Sequence, residues 1–338
     1  MTDLAAERAR AQVMLDLKRH DEAAALLRGI VAADPDDGRA WCLLAGALLG
    51  ARQLPDAAEA AGRAAELRPS DDWPYRLMCM TRIHQGHGYL AETAAREAVR
   101  LAPSGWRSHV CLAEAKLAVK TDFDGAERAA AEARRLAPNE PEVYVLSGRI
   151  SLARGERRAA RDYQEQALAL NPSHSEAMNQ LGRIALRRPG SPQAARHFIQ
   201  AARSAPKVGI YGQNVAVAVR HAVSRVVYLA SLASWVVVLL NWTGRAGRTP
   251  VVAGLAAIAV LSGGLGAVQL ARMPAEVRPL LRSRTVGLAL GVAYAPILLA
   301  VVVAILTPRT AMQAALFGAA ILIIAGRFAS VAILRRVR

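Results

Sequence analysis

The 338-residue sequence predicts an all-α protein in two parts: a superhelical stack of about six helix-turn-helix units, followed by a four-helix transmembrane bundle. Three observations predict it. Prolines recur at Pro35, Pro69, Pro103, Pro138, Pro172 and Pro206, at intervals of 34, 34, 35, 34 and 34. Beyond residue 208, four long apolar runs succeed one another. Charge divides at the same place: residues 1–208 carry 30 Lys and Arg against 26 Asp and Glu, whereas residues 209–338 carry 13 Arg against the single Glu276.

The proline cadence divides the first part, residues 1–208, into units 4–37, 38–71, 72–105, 106–140, 141–174 and 175–208. A proline after each second helix lacks the N–H that the helix would need and clashes with the preceding turn, so it stops the helix. Six residues after each of the first five prolines comes an anchor for the next unit: Trp41, Tyr75, His109, Tyr144 and Met178. The single interval of 35 is assigned to an extra residue within Thr121 to Gly125, a loop where an insertion costs little. Small residues mark the expected close approaches of the paired helices. They are Ala11, Ala45, Cys79, Ala113, Gly148 and Gly182 at position eight, and Ala23, Ala57, Ala91, Ala126, Ala160 and Ala194 at position twenty. Leu44, Leu112, Leu146 and Leu181 fill the interface, each contributing roughly 1.5–3 kcal/mol on burial.

Within Gly38 to Asp71, the residues Trp41, Leu44, Ala45, Leu48, Ala57, Ala61, Ala64 and Pro69 stand at spacings that resemble a tetratricopeptide repeat. Leu replaces the expected Tyr of the first helix, and Ala61 replaces the expected Phe of the second. The resemblance implies a groove lined by first helices that docks a protein or peptide. The residues assigned to it include Arg8, Gln12, Arg39, Trp73, Arg76, Arg107, Arg149, Asn179 and Arg183. Arginine dominates that set, which favours an acidic partner. Ordinary solvated charge is the competing reading, in a chain with 39 Arg and 4 Lys. The Lys/Asn set with which chaperone-binding members hold a terminal carboxylate has no counterpart here beyond Asn179.

After Pro206, Gly209 and Gly212 predict a break in the helical pattern over Lys207 to Asn214. Val215 to Ser224 then reads as one more helix that caps the last repeat or leads into the membrane, so 209–225 is a linker or juxtamembrane segment. Residues 226–338 form the predicted membrane domain, with spans at about 226–242, 250–271, 285–306 and 310–328. Each comes close to the roughly 20 residues that cross a hydrocarbon core of about 30 Å. Pro296 predicts a kink in the third span. Gly287 and Gly291 form a GxxxG that allows close helix packing, within one bundle or in a helix-mediated homo-oligomer. Ten arginines flank the spans on one side and Arg245, Arg248 and Arg309 on the other. That bias predicts a multi-pass inner-membrane protein with both termini cytoplasmic, and the N-terminal stretch carries no secretory signal pattern.

No catalytic, cofactor or metal constellation emerges. Cys42, Cys79 and Cys111 are too few and too far apart for a zinc site or disulfide framework, and read as buried small residues. His84 and His87 fall in an expected inter-helix turn. Ser262 beside Gly263 does not make an intramembrane serine protease, since the spans contain no His to act as base. Nucleic-acid binding is excluded because the basic excess sits beside apolar runs and aromatics are only 5%. The expectation is a non-enzymatic, membrane-anchored protein–protein interaction scaffold without a cofactor. The alternative is a component of a membrane transport, export or envelope-assembly complex in which the repeats recruit substrate.

Overall fold

The computed structural model describes residues 3–186, 192–206 and 208–242, together with short stretches beyond them, chiefly 272–277, 288–290 and 321–326. Two compact units divide the chain, Met1–Pro172 and Ser173–Arg338. Among the described residues the regular structure is helical, with no strand.

The first unit holds five helix pairs. They are α1 (Leu4–Asp16) with α2 (His20–Ala33), α3 (Gly38–Gly50) with α4 (Leu54–Leu67), and α5 (Asp72–His84) with α6 (Gly88–Leu101). Two more complete it, α7 (Trp106–Val119) with α8 (Phe123–Leu136) and α9 (Pro141–Ala153) with α10 (Arg157–Leu170). Each first helix packs on its own second helix, each second helix on the next first helix, and successive first helices on one another.

Three local devices repeat from pair to pair. The first lies between the paired helices, where Lys18, Arg52, Gly86, Lys120 and Gly155 all adopt left-handed φ between 58° and 84°. In four of these turns the next amide closes back on the carbonyl five residues earlier, as Arg19 N does on Met14 and Gln53 N on Leu48. The orphan carbonyls at the helix end are satisfied in this way.

The second device is the helix stop. The residue before each of the first five closing prolines is extended in φ, from −131° at Ala102 to −138° at Ala137, because the proline ring excludes the helical region from its predecessor.

The third explains the six-residue spacing of the anchors. Trp41 Nε1 donates to the Pro35 carbonyl at 2.9 Å and Tyr144 Oη to that of Pro138 at 2.9 Å, while His109 Nε2 lies 2.8 Å from the Pro103 carbonyl. Each of these three anchors therefore holds a carbonyl that its proline has taken out of helical pairing.

The residues at position eight are fully buried where they are Ala or Cys, and so are the alanines at position twenty. A Cβ on Gly148 would lie 3.0 Å from the Ala160 carbonyl oxygen and would collide with Gln164, so only glycine fits there. The extra residue of the fourth pair falls in its turn, between Lys120 and Phe123. It supplies Asp122, which accepts from Gly125 N at 2.7 Å and from Lys116 Nζ at 2.5 Å. Lys116 also meets the buried Glu92 at 2.8 Å, tying α7 to α6. The bonds from Asp122 and then Glu92 raise the pKa of the Lys116 ammonium.

The second unit contains a sixth pair, α11 (Ser175–Ala185) with α12 (Pro192–Ser204), and then α13 (Gly209–Trp242), a single helix of 34 residues. The break expected over Lys207 to Asn214 is therefore corrected, because helix begins at Gly209. Neither Gly209 nor Gly212 has a neighbour within 4 Å of a would-be Cβ, so nothing there demands a turn. What holds the segment helical is packing. Tyr211, Val215, Ala218, Val219 and Ala222 recur at helical spacing and are buried, several of them in one cluster with Ala195 and Phe198 of α12.

α13 continues through the first apolar run, 226–242. The other runs, with the Gly287/Gly291 pair and Pro296, lie outside the described residues except for scattered positions. Among the described residues no helix is long and apolar enough to cross a membrane.

Candidate partner-binding face

The face assigned to partner binding rests on the first helices. Aspartates cap the N-termini of several of them: Asp3 accepts from Ala5 and Ala6 N–H, Asp37 from Arg39 and Ala40, and Asp71 from Trp73. Such caps satisfy amides that have no partner inside the helix. Asp37 also brings a carboxylate to a groove arginine, Arg8.

Arg8 Nη1 reaches Asp37 at 2.6 Å, Arg76 Nε lies 2.7 Å from Asp72, and Arg149 Nη1 meets Glu114 on the neighbouring first helix at 2.7 Å. Asp72 is shared, since Ser108 Oγ on α7 donates to it at 2.7 Å. Half of the six arginines are thus partnered to carboxylates along the helix stack. Gln12 is exposed and bonds to Asp16 at 3.0 Å. Trp73 is half-buried against the core of the first pairs. Arg39 and Arg107 are exposed and have no carboxylate partner among the described residues, and Arg107 lies 4.3 Å over the Trp106 ring.

In the second unit part of the face is covered. Asn179 is only 6% exposed and its Oδ1 accepts from Asn214 Nδ2 of α13 at 2.7 Å. Beside it, Tyr211 Oη donates to Glu176 Oε2 at 3.0 Å. Burial, first, and the nearby Glu176 raise the pKa of the Tyr211 phenol and keep it a neutral donor. Arg183 stays exposed and bonds to Gln180 at 3.1 Å. Both contacts join residues 35 apart, close to one repeat length, so the start of α13 sits on α11 as a further first helix would.

Residues 4–47 and 147–208 each match a family model described as tetratricopeptide repeat. The chain carries tetratricopeptide repeats. Solved structures share the fold. One is a tetratricopeptide repeat protein from Parabacteroides merdae, with TM-score 0.56 and 12% identity over 63% of this chain and 83% of that one. A thermophilic protein of the same type from Thermus thermophilus gives TM-score 0.51 and 21% identity over 54% of this chain and 98% of that one. A chain of an APC/C hetero-tetramer gives TM-score 0.53 and 18% identity over 63% of this chain, which spans only 42% of its length. No curated protein matches the sequence.

Cys42, Cys79 and Cys111 are all free and buried, and burial pushes the Cys42 thiol up to about 12. Cys79 donates to the Cys111 carbonyl at 3.4 Å, and its pKa is raised by its interaction with Cys111 and then by burial. Thiols held protonated in this way are poor nucleophiles. His84 closes α5, where burial and then Arg52, 3.1 Å away, lower its pKa, and His87 precedes α6. Both belong to the turn around Gly86. Among the described residues no group of three or more His, Cys, Asp and Glu is placed to hold a metal ion.

Proposed function

We propose that the protein is a membrane-anchored interaction scaffold whose tetratricopeptide repeats dock a protein or peptide in the cytoplasm. The observation that carries the docking half is the row of first helices α1, α3, α5, α7 and α9, packed side by side. On it Arg39 and Arg107 stay exposed and unpaired among the described residues, while Arg8, Arg76 and Arg149 hold carboxylates. A partner carboxylate gains most at the two open guanidiniums, whose planar forks each have donors to spare. Acidic partner preference is therefore local to Arg39 and Arg107.

The membrane half is supported by the four apolar runs and by the arginines that flank them on one side. Placement of the segment between the second and third runs beside the repeats is supported by Arg203 of α12, which meets Glu276 at 2.9 Å, and by the burial of Met273 against the α12–α13 cluster.

Two measurements test the halves separately. The full chain in detergent, titrated with a fluorescent Glu-rich peptide, is expected to lose about tenfold in affinity on Arg39→Glu with Arg107→Glu. Indifference to both changes would end the groove reading. Single cysteines at Thr243 and Ser283, in a background lacking the three native ones, are expected to label with an impermeant thiol reagent from outside and inside respectively. Labelling of the Ser283 position in intact cells would reverse the orientation.

A further inference from the structure

The third repeat departs from the others on the side of α5 opposite the groove. The first two positions after the second helix opens are Asp21 and Glu22 in repeat one, Pro55 and Asp56 in repeat two, Asp124 and Gly125 in repeat four, and Arg158 and Ala159 in repeat five. In repeat three they are Tyr89 and Leu90, which are 72% and 55% exposed. Exposed large apolar residues at one repeat only, at positions that are polar, small or proline in the other repeats compared, are the kind of surface that marks a contact site.

Beside them is a cavity of about 580 Å³ between α5 and α6, walled by Tyr75, Met78 and Leu90 and rimmed by Arg82, Arg96 and Arg100. That volume lies within the range of binding pockets. On α5, Tyr75, Met78 and Arg82 stand roughly half a helical turn around from Trp73, Arg76 and Met80, so the cavity is separate from the groove. Tyr75 lines this cavity, whereas the anchors Trp41, His109 and Tyr144 each hold a proline carbonyl.

The rim is basic beyond what it needs internally. Glu97 is the acid that lines the cavity, and it takes Arg100 in a two-pronged contact. Arg96 bonds to Glu92 at 2.7 Å and Arg82 to Gln85 at 3.1 Å. Each guanidinium has five N–H donors, so all three retain some for an incoming carboxylate, and the Arg96 and Arg100 side chains are 64% and 66% exposed.

We propose that this cavity is a second docking site, which takes one apolar side chain of a partner peptide whose flanking residues are acidic. The apolar anchor enters between Tyr75, Met78 and Leu90, and its acidic neighbours meet the arginine rim. Groove binding and this site are independent, so one protein can hold two segments of a partner, or two partners, on opposite sides of α5.

The test uses the full chain in detergent and a fluorescein-labelled heptapeptide with one central Phe flanked by two Glu on each side. Fluorescence anisotropy is expected to show binding that weakens at least tenfold on Tyr89→Ser with Leu90→Ser, and similarly when the four Glu of the peptide are replaced by Gln. Circular dichroism of the double variant checks that the helices are intact, as expected for two exposed positions. Arg39→Glu with Arg107→Glu is expected to leave this binding unchanged, which separates it from the groove. No binding of the heptapeptide, equal binding of the Gln peptide, or binding indifferent to Tyr89 and Leu90 would overturn the proposal. So would self-association of the chain that the double serine variant abolishes, since the occupant would then be a second copy.

Discussion

Repeats two and five answer the same packing demand in opposite ways. In repeat two, Ala45 at position eight and Ala61 at position twenty-four are both fully buried, and in repeat five the same positions hold Gly148 and Gln164. Repeat six carries the division further, with Gly182 against Phe198, whose ring a Cβ on Gly182 would meet at 2.5 Å. A large side chain on the second helix is met by glycine on the first, and the helix pair is kept. The repeat thus specifies a local fit across the interface, and single positions can vary if their partners do.

The largest expected effect breaks that fit at its largest side chain. Phe198 is fully buried, and Phe198→Ala should cost about 3–5 kcal/mol, since Gly182 leaves nothing to fill the space. Urea unfolding of the full chain measures it. A paired Gly182→Ala with Phe198→Leu change should recover a substantial part, and failure to recover any would show that the two positions do not share one volume.

Overpacking the same interfaces comes next. Ala57→Leu, Ala160→Leu and Gly148→Ala should each cost roughly 1–3 kcal/mol. Gly148→Ala is the sharpest of the three, because the obstacle includes the Ala160 carbonyl, which cannot rotate away. If thermal unfolding of all three matched the native chain, the close approach between positions eight and twenty would not constrain the fold.

These interfaces were legible in the sequence, because a period of 34 with Pro, Ala and Gly at fixed phases has few other physical causes. The anchor spacing was visible too, although its reason, a side chain holding the proline carbonyl, emerges only in three dimensions. Other features carried misleading signals. Gly209 and Gly212 read as a break, yet tertiary packing of Tyr211 and Val215 makes the segment helix. The groove arginines read as a set that favours an acidic partner, but Arg8 and Arg76 already meet Asp37, which also caps α3, and Asp72, in the first turn of α5. Asn179 reads as a groove residue from its helix phase, and only the course of α13 shows it covered.

A pH-dependent effect sharpens the contrast between capped and uncapped first helices. Burial works to raise the Asp71 carboxyl, but the Trp73 amide and Arg68 outweigh it and hold the group below its usual range. A carboxyl lowered in the folded state contributes stability that is complete above its unfolded pKa of about 4 and is lost as pH falls below that value. Asp71→Asn keeps a capping oxygen without the charge. The variant should be less stable than the native chain at pH 7, and the difference should shrink as pH falls below about 4. A constant difference across that range would assign the effect to geometry and remove charge from the account.

The smallest expected effect concerns the turns, where repeats one, two and four place Lys18, Arg52 and Lys120 in the left-handed conformation that repeats three and five give to Gly86 and Gly155. An L-residue there costs about 1–2 kcal/mol, and glycine returns roughly 0.5–1 of it through the greater entropy of the unfolded chain. Lys18→Gly should therefore stabilise by about 0.5–1 kcal/mol, and Gly86→Lys should destabilise by a similar amount. Arg52→Gly is a poorer probe, because it also removes the contact with His84 at 3.1 Å. Gly86 is the cleaner site: nothing lies within 4 Å of a would-be Cβ, so φ alone opposes the lysine. A Gly86→Lys chain that unfolds at the native urea concentration would show that these turns relax without cost. The choice between glycine and a basic residue at the 34-residue phase would then need a cause other than backbone strain.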